Sequence, residues 1–347
     1  MNLELKEDKF HIRAYFASCA CKCKFCCLGE YEKSKKITFT EYEAILKKFT
    51  DVEKKYGMRL RSFIYNCPEH QYLKEQIQLY ESLGMERNEF KQIDLNGTKI
   101  KDKNEIKIWF DKLQNAGVEK VAFSWFGTEE THDAFVNRKG YFEYLVNCLM
   151  EAKSRNIPVT NKVFLHKGII SDVDNLINFL ADKSDVIISA FMEYSGNAKN
   201  MADEFITEED FTLFSDTVKD TMSNRYLEKF KTEREWYELA IAGGFPQFNI
   251  VDYILYIDGD NYLDFYNKST DETIQYFRDF NSSFQSSIGE ISDLAKKYAE
   301  PDCSILYECR DVLRKWIDKF YSKNNLDLND LFSFTHNCVE WKVYERL

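Results

Sequence analysis

The sequence predicts an α/β fold. Residues 1–204 read as a partial (β/α)6 TIM-like barrel, and 205–347 as a mostly helical C-terminal extension containing a β-hairpin near 248–265. Three observations predict it. Six strand-then-helix units alternate from Phe10 to about Met201, which implies a parallel sheet with right-handed crossovers. Apolar residues make up 44% of the 347 and aromatics 16%, against only 13 Gly and 4 Pro; this supplies a large core and excludes a disordered or loop-rich chain. After Phe205 the texture changes to helical stretches and two apolar runs that meet at Asp258-Gly259-Asp260, a hairpin signal.

The elements follow in order. Phe10 to Phe16 alternates in character and reads as the first strand, and a cysteine-rich loop follows it. Thr38-Phe39-Thr40-Glu41 is a capping-box signal that opens a helix through about Tyr56, stopped at Gly57. Arg61 to Asn66 is the second strand and leads into Cys67-Pro68-Glu69-His70. Tyr72 to Leu83 is its helix, with Gly84 as the stop. Lys91 to Leu95 is the third strand, followed by Asn96-Gly97-Thr98 and an amphipathic helix from Glu105 to Ala116 that Gly117 ends. Val121 to Ser124 and the helix Tyr141 to Arg155 form the fourth unit. Val159 to Leu165 is the fifth strand, with Ser171 capping a helix to Ala181, and Val186 to Met192 is the sixth. Thr207-Glu208-Glu209 starts a helix that marks the end of the barrel.

Active sites of parallel sheets lie at the C-terminal ends of the strands, which is where the cysteine loop falls. Cys19-Ala20-Cys21-Lys22-Cys23-Lys24-Phe25-Cys26-Cys27 places five cysteines within nine positions. Cys19, Cys23 and Cys26 close a C-x-x-x-C-x-x-C spacing, with Phe25 directly before the last. Cys23 and Cys27 share the first interval, but position 30 is Glu30, so no third cysteine completes that register. Cys21 and Cys27 are then bystanders, or reserve thiols beside a cluster. Iron–sulfur clusters are ligated by Cys thiolates, usually about four for a cubane, so a loop supplying three leaves one iron open. Zinc also uses C-x-C and C-x-x-C, but a structural zinc site wants a second half. Cys67 and His70 could serve in principle, yet there is no second C-x-x-C, and iron–sulfur is the favoured reading.

The spacing resembles the signature of the radical S-adenosylmethionine (radical SAM) superfamily. That resemblance implies a 4Fe–4S cluster on Cys19, Cys23 and Cys26. It also implies S-adenosylmethionine at the open iron, bound through its amino and carboxylate groups and cleaved reductively to a 5′-deoxyadenosyl radical. Later strand ends are similar to the family in detail. Asn96-Gly97-Thr98 resembles the N-G-T seen after the third strand. Ser124-Trp125-Phe126-Gly127, His132-Asp133, Arg138, Gly140 and Phe142 resemble the S-x-x-G…H-D…R…G-x-F pattern of the SPASM/twitch-related group.

The resemblance implies cofactor contacts from Phe25, Asn96, Ser124 and Arg138, the last through a guanidinium fork that suits a carboxylate. The family's G-G-E-P run after strand two is here Asn66-Cys67-Pro68-Glu69, with no glycine, so Glu69 stands in for the carboxylate that holds the methionyl amino group. A helix N-terminal glutamate favoured by the macrodipole is the plainer reading of that residue. Glu193-Tyr194-Ser195-Gly196-Asn197-Ala198 is similar to the family's small turn beside the substrate pocket, and Cys67 is a candidate radical quencher or thiyl donor.

The hairpin's place resembles the start of a SPASM/twitch extension, but Cys303, Cys309 and Cys338 are too few for a protein-ligated auxiliary cluster. His132 reads as a packing or hydrogen-bonding residue, and His11, His166 and His336 carry no assigned role. The formal net charge of −11 gives no support to nucleic-acid binding and is compatible with a basic peptide. No apolar run approaches a membrane span, no signal peptide precedes the cysteines, and their crowding suits a reducing cytoplasm.

The expected activity is hydrogen abstraction from a peptide or protein, with a small molecule as the leading variant. A reductase or a ferredoxin- or flavodoxin-type donor would supply electrons. The rival from another class is a non-catalytic iron–sulfur or zinc scaffold or redox protein.

Overall fold

The computed structural model describes residues 3–16, 19–26, 35–65, 69, 71–85, 90–324 and 337–343. Cys27, Asn66, Cys67, Pro68, His70 and His336 lie outside them. The strands, in chain order, are β1 (Lys6–Tyr15), β2 (Arg59–Tyr65), β3 (Gln92–Asp94), β4 (Lys120–Trp125) and β5 (Val159–Leu165). They continue as β6 (Val186–Phe191), β7 (Phe230–Thr232), β8 (Ile250–Ile257), β9 (Leu306–Glu308) and β10 (Cys338–Lys342). Contacts divide the chain into two compact units.

The first unit comprises Met1–Phe16, Glu30–Tyr65 and Lys229–Leu347. Its sheet has the order β10-β8-β1-β2, with β1 parallel to both β2 and β8 and β10 antiparallel to β8. One face of the sheet carries Phe10, Ile12 and Ala14, all buried, with Ile64, Val251, Leu255 and Trp341 from the neighbouring strands. The Thr38–Glu41 capping box forms as expected, but the helix Phe39–Lys48 stops at Phe49, and a second short helix, Val52–Tyr56, runs to Gly57 at φ 72°. Gly57 takes the left-handed conformation that a side chain would disfavour.

The hairpin and the division at 204/205 are corrected here. Tyr262–Asn267 is a helix, not a second strand. Asp258 turns the chain into that helix: its carboxylate accepts from the Asp260 and Asn261 N–H groups (2.9 and 3.1 Å), and its carbonyl accepts from Tyr262 N–H. A short acidic side chain that bonds the next backbone amides suits a helix start as well as a hairpin turn. β8 is buried at every position and pairs on both edges, so it is a central strand. Because it lies beside β1, residues from the expected extension complete the sheet that the N-terminal strand begins.

The second unit comprises Ala17–Gly29 and Asn66–Glu228. Its sheet has the order β3-β4-β5-β6, parallel throughout. Strand β5 has the bounds the sequence predicts and alternates buried and half-buried positions. Between β3 and β4 runs the helix Lys103–Ala116, opened by an Asp102–Glu105 capping box and closed by Gly117 at φ 96°. The helix after β5 is Val173–Ala181, with Asp172 and not Ser171 at its N-cap. Trp125, fully buried, donates from its indole to Asn161 Oδ1 (2.7 Å) and ties β4 to β5 at mid-sheet.

Candidate functional site

The cysteine loop is fastened by its backbone. Ala20 N–H donates to the Gly97 carbonyl (2.7 Å), Lys22 N–H to Val136 (3.3 Å) and Lys24 N–H to Phe135 (3.1 Å). The fastenings come from two segments, Gly97 after β3 and Phe135–Val136 at the end of the helix Glu129–Phe135. Cys21 interacts with both Cys19 and Cys23, its neighbours two residues away on either side. A turn at Lys24–Phe25 then closes with Cys26 N–H donating to the Cys23 carbonyl (3.2 Å). The Cys26 carbonyl accepts from Asn197 N–H (3.0 Å), so the small turn after β6 backs the loop.

Gly97 and Asn197 lie in the segments that follow β3 and β6, and Phe135 and Val136 end the helix Glu129–Phe135 that follows β4, so the loop is held by segments that follow the C-terminal ends of strands, where open α/β sheets place their sites. Cys19, Cys23 and Cys26 are half-buried, and Cys21 is 7% exposed. The Cys21 hydrogen bond, then burial, pushes the Cys19 thiol up. At Cys21 the bond to Cys19 pulls down while the bond to Cys23 and burial push up, leaving it at about 11. Without metal the Cys19 thiol is protonated, and loading it must release a proton.

Arg138 reinforces the loop. Its Nη1 donates to the carbonyls of Ala20 (2.8 Å) and Thr98 (3.2 Å), and its guanidinium lies 5.4 Å from the Tyr141 ring centre. Its Nε and Nη2 have no partner among the described residues. Asn96 is spent on β4: its side chain donates to the Ser124 carbonyl (2.9 Å) and accepts from Ser124 N–H (2.6 Å). That double bond fixes Ser124, whose hydroxyl is engaged by no described residue. Phe25 stacks at 5.0 Å on Phe135 and 4.3 Å from Phe126. Glu69 accepts from Lys99 N–H (3.0 Å) and from Lys101 Nζ (2.5 Å).

Arg138 thus braces the loop that carries Phe25 and the three cysteines, Ser124 is held by Asn96 at the end of β4, and Glu69 is held by Lys101. Sequence reasoning missed His166, which is buried and stacks on Phe135 at 4.0 Å. It contacts the Phe126 carbonyl (3.2 Å) and Glu204 (3.3 Å). Its position directly after β5 was the available signal. Thr98 and Tyr141 were also missed as supports: Thr98 N–H donates to the Tyr141 hydroxyl (3.1 Å), which also contacts the Cys21 thiol.

His132 is fully buried, accepts from Phe126 N–H through Nδ1 (3.2 Å), and carries its proton on Nε2 among the Trp125, Tyr141 and Phe142 rings. Burial pulls it from the usual 6.5 to about 4. Between those values the unfolded chain binds a proton that the native state refuses, so stability falls as pH drops from about 6.5 toward 4. His132 alone contributes about 3 kcal/mol to that loss. Burial lowers His11 and His166 in the same direction. Urea melts of metal-free protein from pH 7 to 4.5 should show this slope, and a smaller one in His132→Gln; equal slopes would remove His132 from the account.

No three His, Cys, Asp or Glu side chains among the described residues stand in the shell of a single metal ion. A cubane asks for something else, since each thiolate binds its own iron and the ligands stand apart. Three thiols on one backbone-fastened loop, with no competing carboxylate among them, are a donor set that fits it. Among the described residues no helix is long and apolar enough to cross a membrane.

The profile of the Radical SAM superfamily matches residues 15–180. None of the curated proteins matches the sequence. Among solved structures, Streptococcus suis SuiB bound to S-adenosylmethionine is similar at 13% identity and TM-score 0.41, over 54% of this chain and 41% of that one. Native anSMEcpe with bound AdoMet and Cp18Cys peptide is similar at 11% and 0.40, over 68% and 61%. Methylornithine synthase (PylB) is similar at 15% and 0.38, over 62% and 64%. The chain covers less than two thirds of the length of each of the three. By the profile match and the cysteine motif within it, residues 15–180 carry a radical SAM domain; members of that superfamily use a 4Fe–4S cluster and S-adenosylmethionine.

Proposed function

We propose that this protein is a radical SAM enzyme that cleaves S-adenosylmethionine reductively and abstracts hydrogen from a peptide or protein. The observation that carries the reading is the fastening of the C-x-x-x-C-x-x-C loop, by the Ala20, Lys22 and Lys24 amides, to the segments that follow β3 and β4, with Ser124 at the end of β4 and Arg138 bracing the loop. Cys19, Cys23 and Cys26 would hold the cluster. When bound, the cluster and cofactor together supply a 5′-deoxyadenosyl radical.

The chain's own residues bind and orient. Ser124 keeps its hydroxyl for the ribose or carboxylate, and Asn96 positions it. Arg138 commits Nη1 to the loop and leaves Nε and Nη2 for a carboxylate. Phe25 presents its backbone to the adenine while its ring is anchored in the aromatic stack. Glu69 would accept the methionyl amino group in competition with Lys101. The six parallel strands β1–β6 would form the partial barrel, and a reductase or a ferredoxin- or flavodoxin-type protein would deliver the electron. The peptide class rests on the resemblance of Ser124–Phe142 to the SPASM/twitch-related pattern.

The test is anaerobic reconstitution, reduction with dithionite and addition of S-adenosylmethionine. A cubane electron paramagnetic resonance signal that changes with the cofactor, together with 5′-deoxyadenosine, is expected. Zinc without iron, or a cluster indifferent to the cofactor, would overturn the reading in favour of a scaffold.

A further inference from the structure

The sheet β3-β4-β5-β6 has two unlike faces. Side chains alternate along a strand, so Ile93, Val121, Phe123, Val163 and Leu165 share one face, where all are buried. The register puts Asp94, Ser124, Lys162 and Ile188 on the other. Asp94 pairs with Ala122, and Ser124, Lys162 and Ile188 form one row. Parallel sheets are ordinarily covered on both faces and apolar on both. Here the second face stays accessible and mixed. Val186 and Ile188 are 47% and 44% exposed, and Lys162 reaches diagonally across β4 to Asp94, Nζ to Oδ1 3.1 Å. Ala122 lies between the two, fully buried and small enough for that strap to cross. The two charged side chains remain 33% and 52% exposed, and an ion pair so accessible is weak and readily exchanged. The outer edge of β6, by contrast, is taken: Ser189 N–H donates to the Thr221 carbonyl (3.2 Å) and Phe191 N–H to the Tyr226 hydroxyl (2.8 Å). A partner therefore meets the face and not the edge. Among the strand residues on that face the cations are Lys120 and Lys162 and the anion is Asp94, a local positive excess in a chain of net charge −11.

We propose that this face binds the peptide and that Lys162 selects an acidic residue in it. The peptide carboxylate takes Lys162 from Asp94, and Val186 and Ile188 receive a neighbouring aliphatic side chain. The proposal deepens the peptide reading above and rests on it. Asp94 holds the lysine extended over β4 until the peptide arrives, and exchanging one accessible ion pair for another costs little. A carboxylate set among desolvating aliphatic side chains gains more from the ammonium than Asp94 does in water. Ser124 stands in the same row, one strand from Lys162, which sets the selected residue beside the candidate cofactor ligand.

The test titrates fluorescently labelled peptides, blocked at both ends, in which a leucine is followed by aspartate, asparagine or lysine. Anisotropy reads their binding to the full chain, reconstituted anaerobically, as wild type, Lys162→Met, Asp94→Asn and Ile188→Ala. Wild type is expected to bind the aspartate peptide about tenfold more tightly than the asparagine peptide, and the lysine peptide most weakly. Lys162→Met should bind the aspartate and asparagine peptides alike. Asp94→Asn frees the lysine and should bind the aspartate peptide about threefold more tightly than wild type, a gain that a merely structural ion pair would not give. Ile188→Ala should weaken all three peptides and keep their order. Wild type that binds the peptides alike or binds none, a preference that survives Lys162→Met, or affinities unmoved by Ile188→Ala would overturn the proposal. The wild-type comparison decides even if a variant fails to fold. Binding is read without turnover, so the two failures are distinct. Wild type that selects aspartate but cleaves no S-adenosylmethionine defeats the radical SAM reading, whereas cleavage with the peptides bound alike defeats the proposal alone.

Discussion

Replacing Cys19, Cys23 and Cys26 together by alanine is expected to strip the protein of iron and end 5′-deoxyadenosine formation while leaving the fold in place. The second half of that expectation follows from how the loop is held. Its fastenings are the amides of Ala20, Lys22, Lys24 and Cys26 and the carbonyls of Ala20 and Cys26, none of which belongs to a cysteine side chain. The three thiols are half-buried, so truncating them removes little packing, and the metal-free variant should unfold within about 0.5–1 kcal/mol of metal-free wild type. Iron and sulfide analysis with urea melts of both apo-proteins checks it. Full iron in the variant would mean that other residues hold the cluster. A variant that fails to fold would mean that the thiols are structural. Cys21 and whatever remains cannot replace three thiolates, so partial loading is not expected.

Much of the second unit was legible because its signals are local. Strand β5 was readable with both end points, and Gly117 marked the end of a helix whose apolar face is periodic, although the Asp102–Glu105 cap starts that helix two residues before the Glu105 read from the sequence. The cysteine spacing named the candidate ligands before any fold was known. What stayed hidden is what depends on distant partners. Asn96 looks like a site residue because it stands in a loop motif at a strand end, and only the coordinates reveal that its amide is spent on Ser124. Arg138 looks like a pure ligand, and only the coordinates reveal that one nitrogen braces the cysteine loop.

The first unit was the less legible half for the same reason. Ile250–Ile257 is apolar without strict alternation, as suits a strand buried on both faces, and nothing within it announces that its parallel partner lies more than two hundred residues earlier. The Asp258-Gly259 turn was then assigned to a local hairpin, because a local partner is the only kind that sequence can supply.

Glu233→Ala is expected to destabilise the first unit by about 3–5 kcal/mol, because it breaks a buried charged pair by removing one partner. Glu233 is the first residue of the helix Glu233–Ile241 and is fully buried. Its Oε1 accepts from Trp316 Nε1 (2.8 Å) and Glu300 N–H (3.0 Å), and its Oε2 from Lys315 Nζ (2.6 Å). Both oxygens are therefore spent, and the helix N-terminus favours the charge. Truncation leaves the buried Trp316 indole without its acceptor and Lys315 with Glu300 at 2.9 Å and the Cys303 thiol at 4.0 Å. Glu233→Gln retains one acceptor oxygen and the shape, so it should cost clearly less than alanine. Lys315→Met in the Glu233→Gln background should cost less than the sum of the two single changes, since it removes the stranded ammonium along with its partner. Urea midpoints of the four proteins, metal-free and at one pH, measure the cycle. Additive losses would show that the carboxylate and the ammonium act independently, and the stability of this helix junction would then lie in the packing of Trp316 and Trp236.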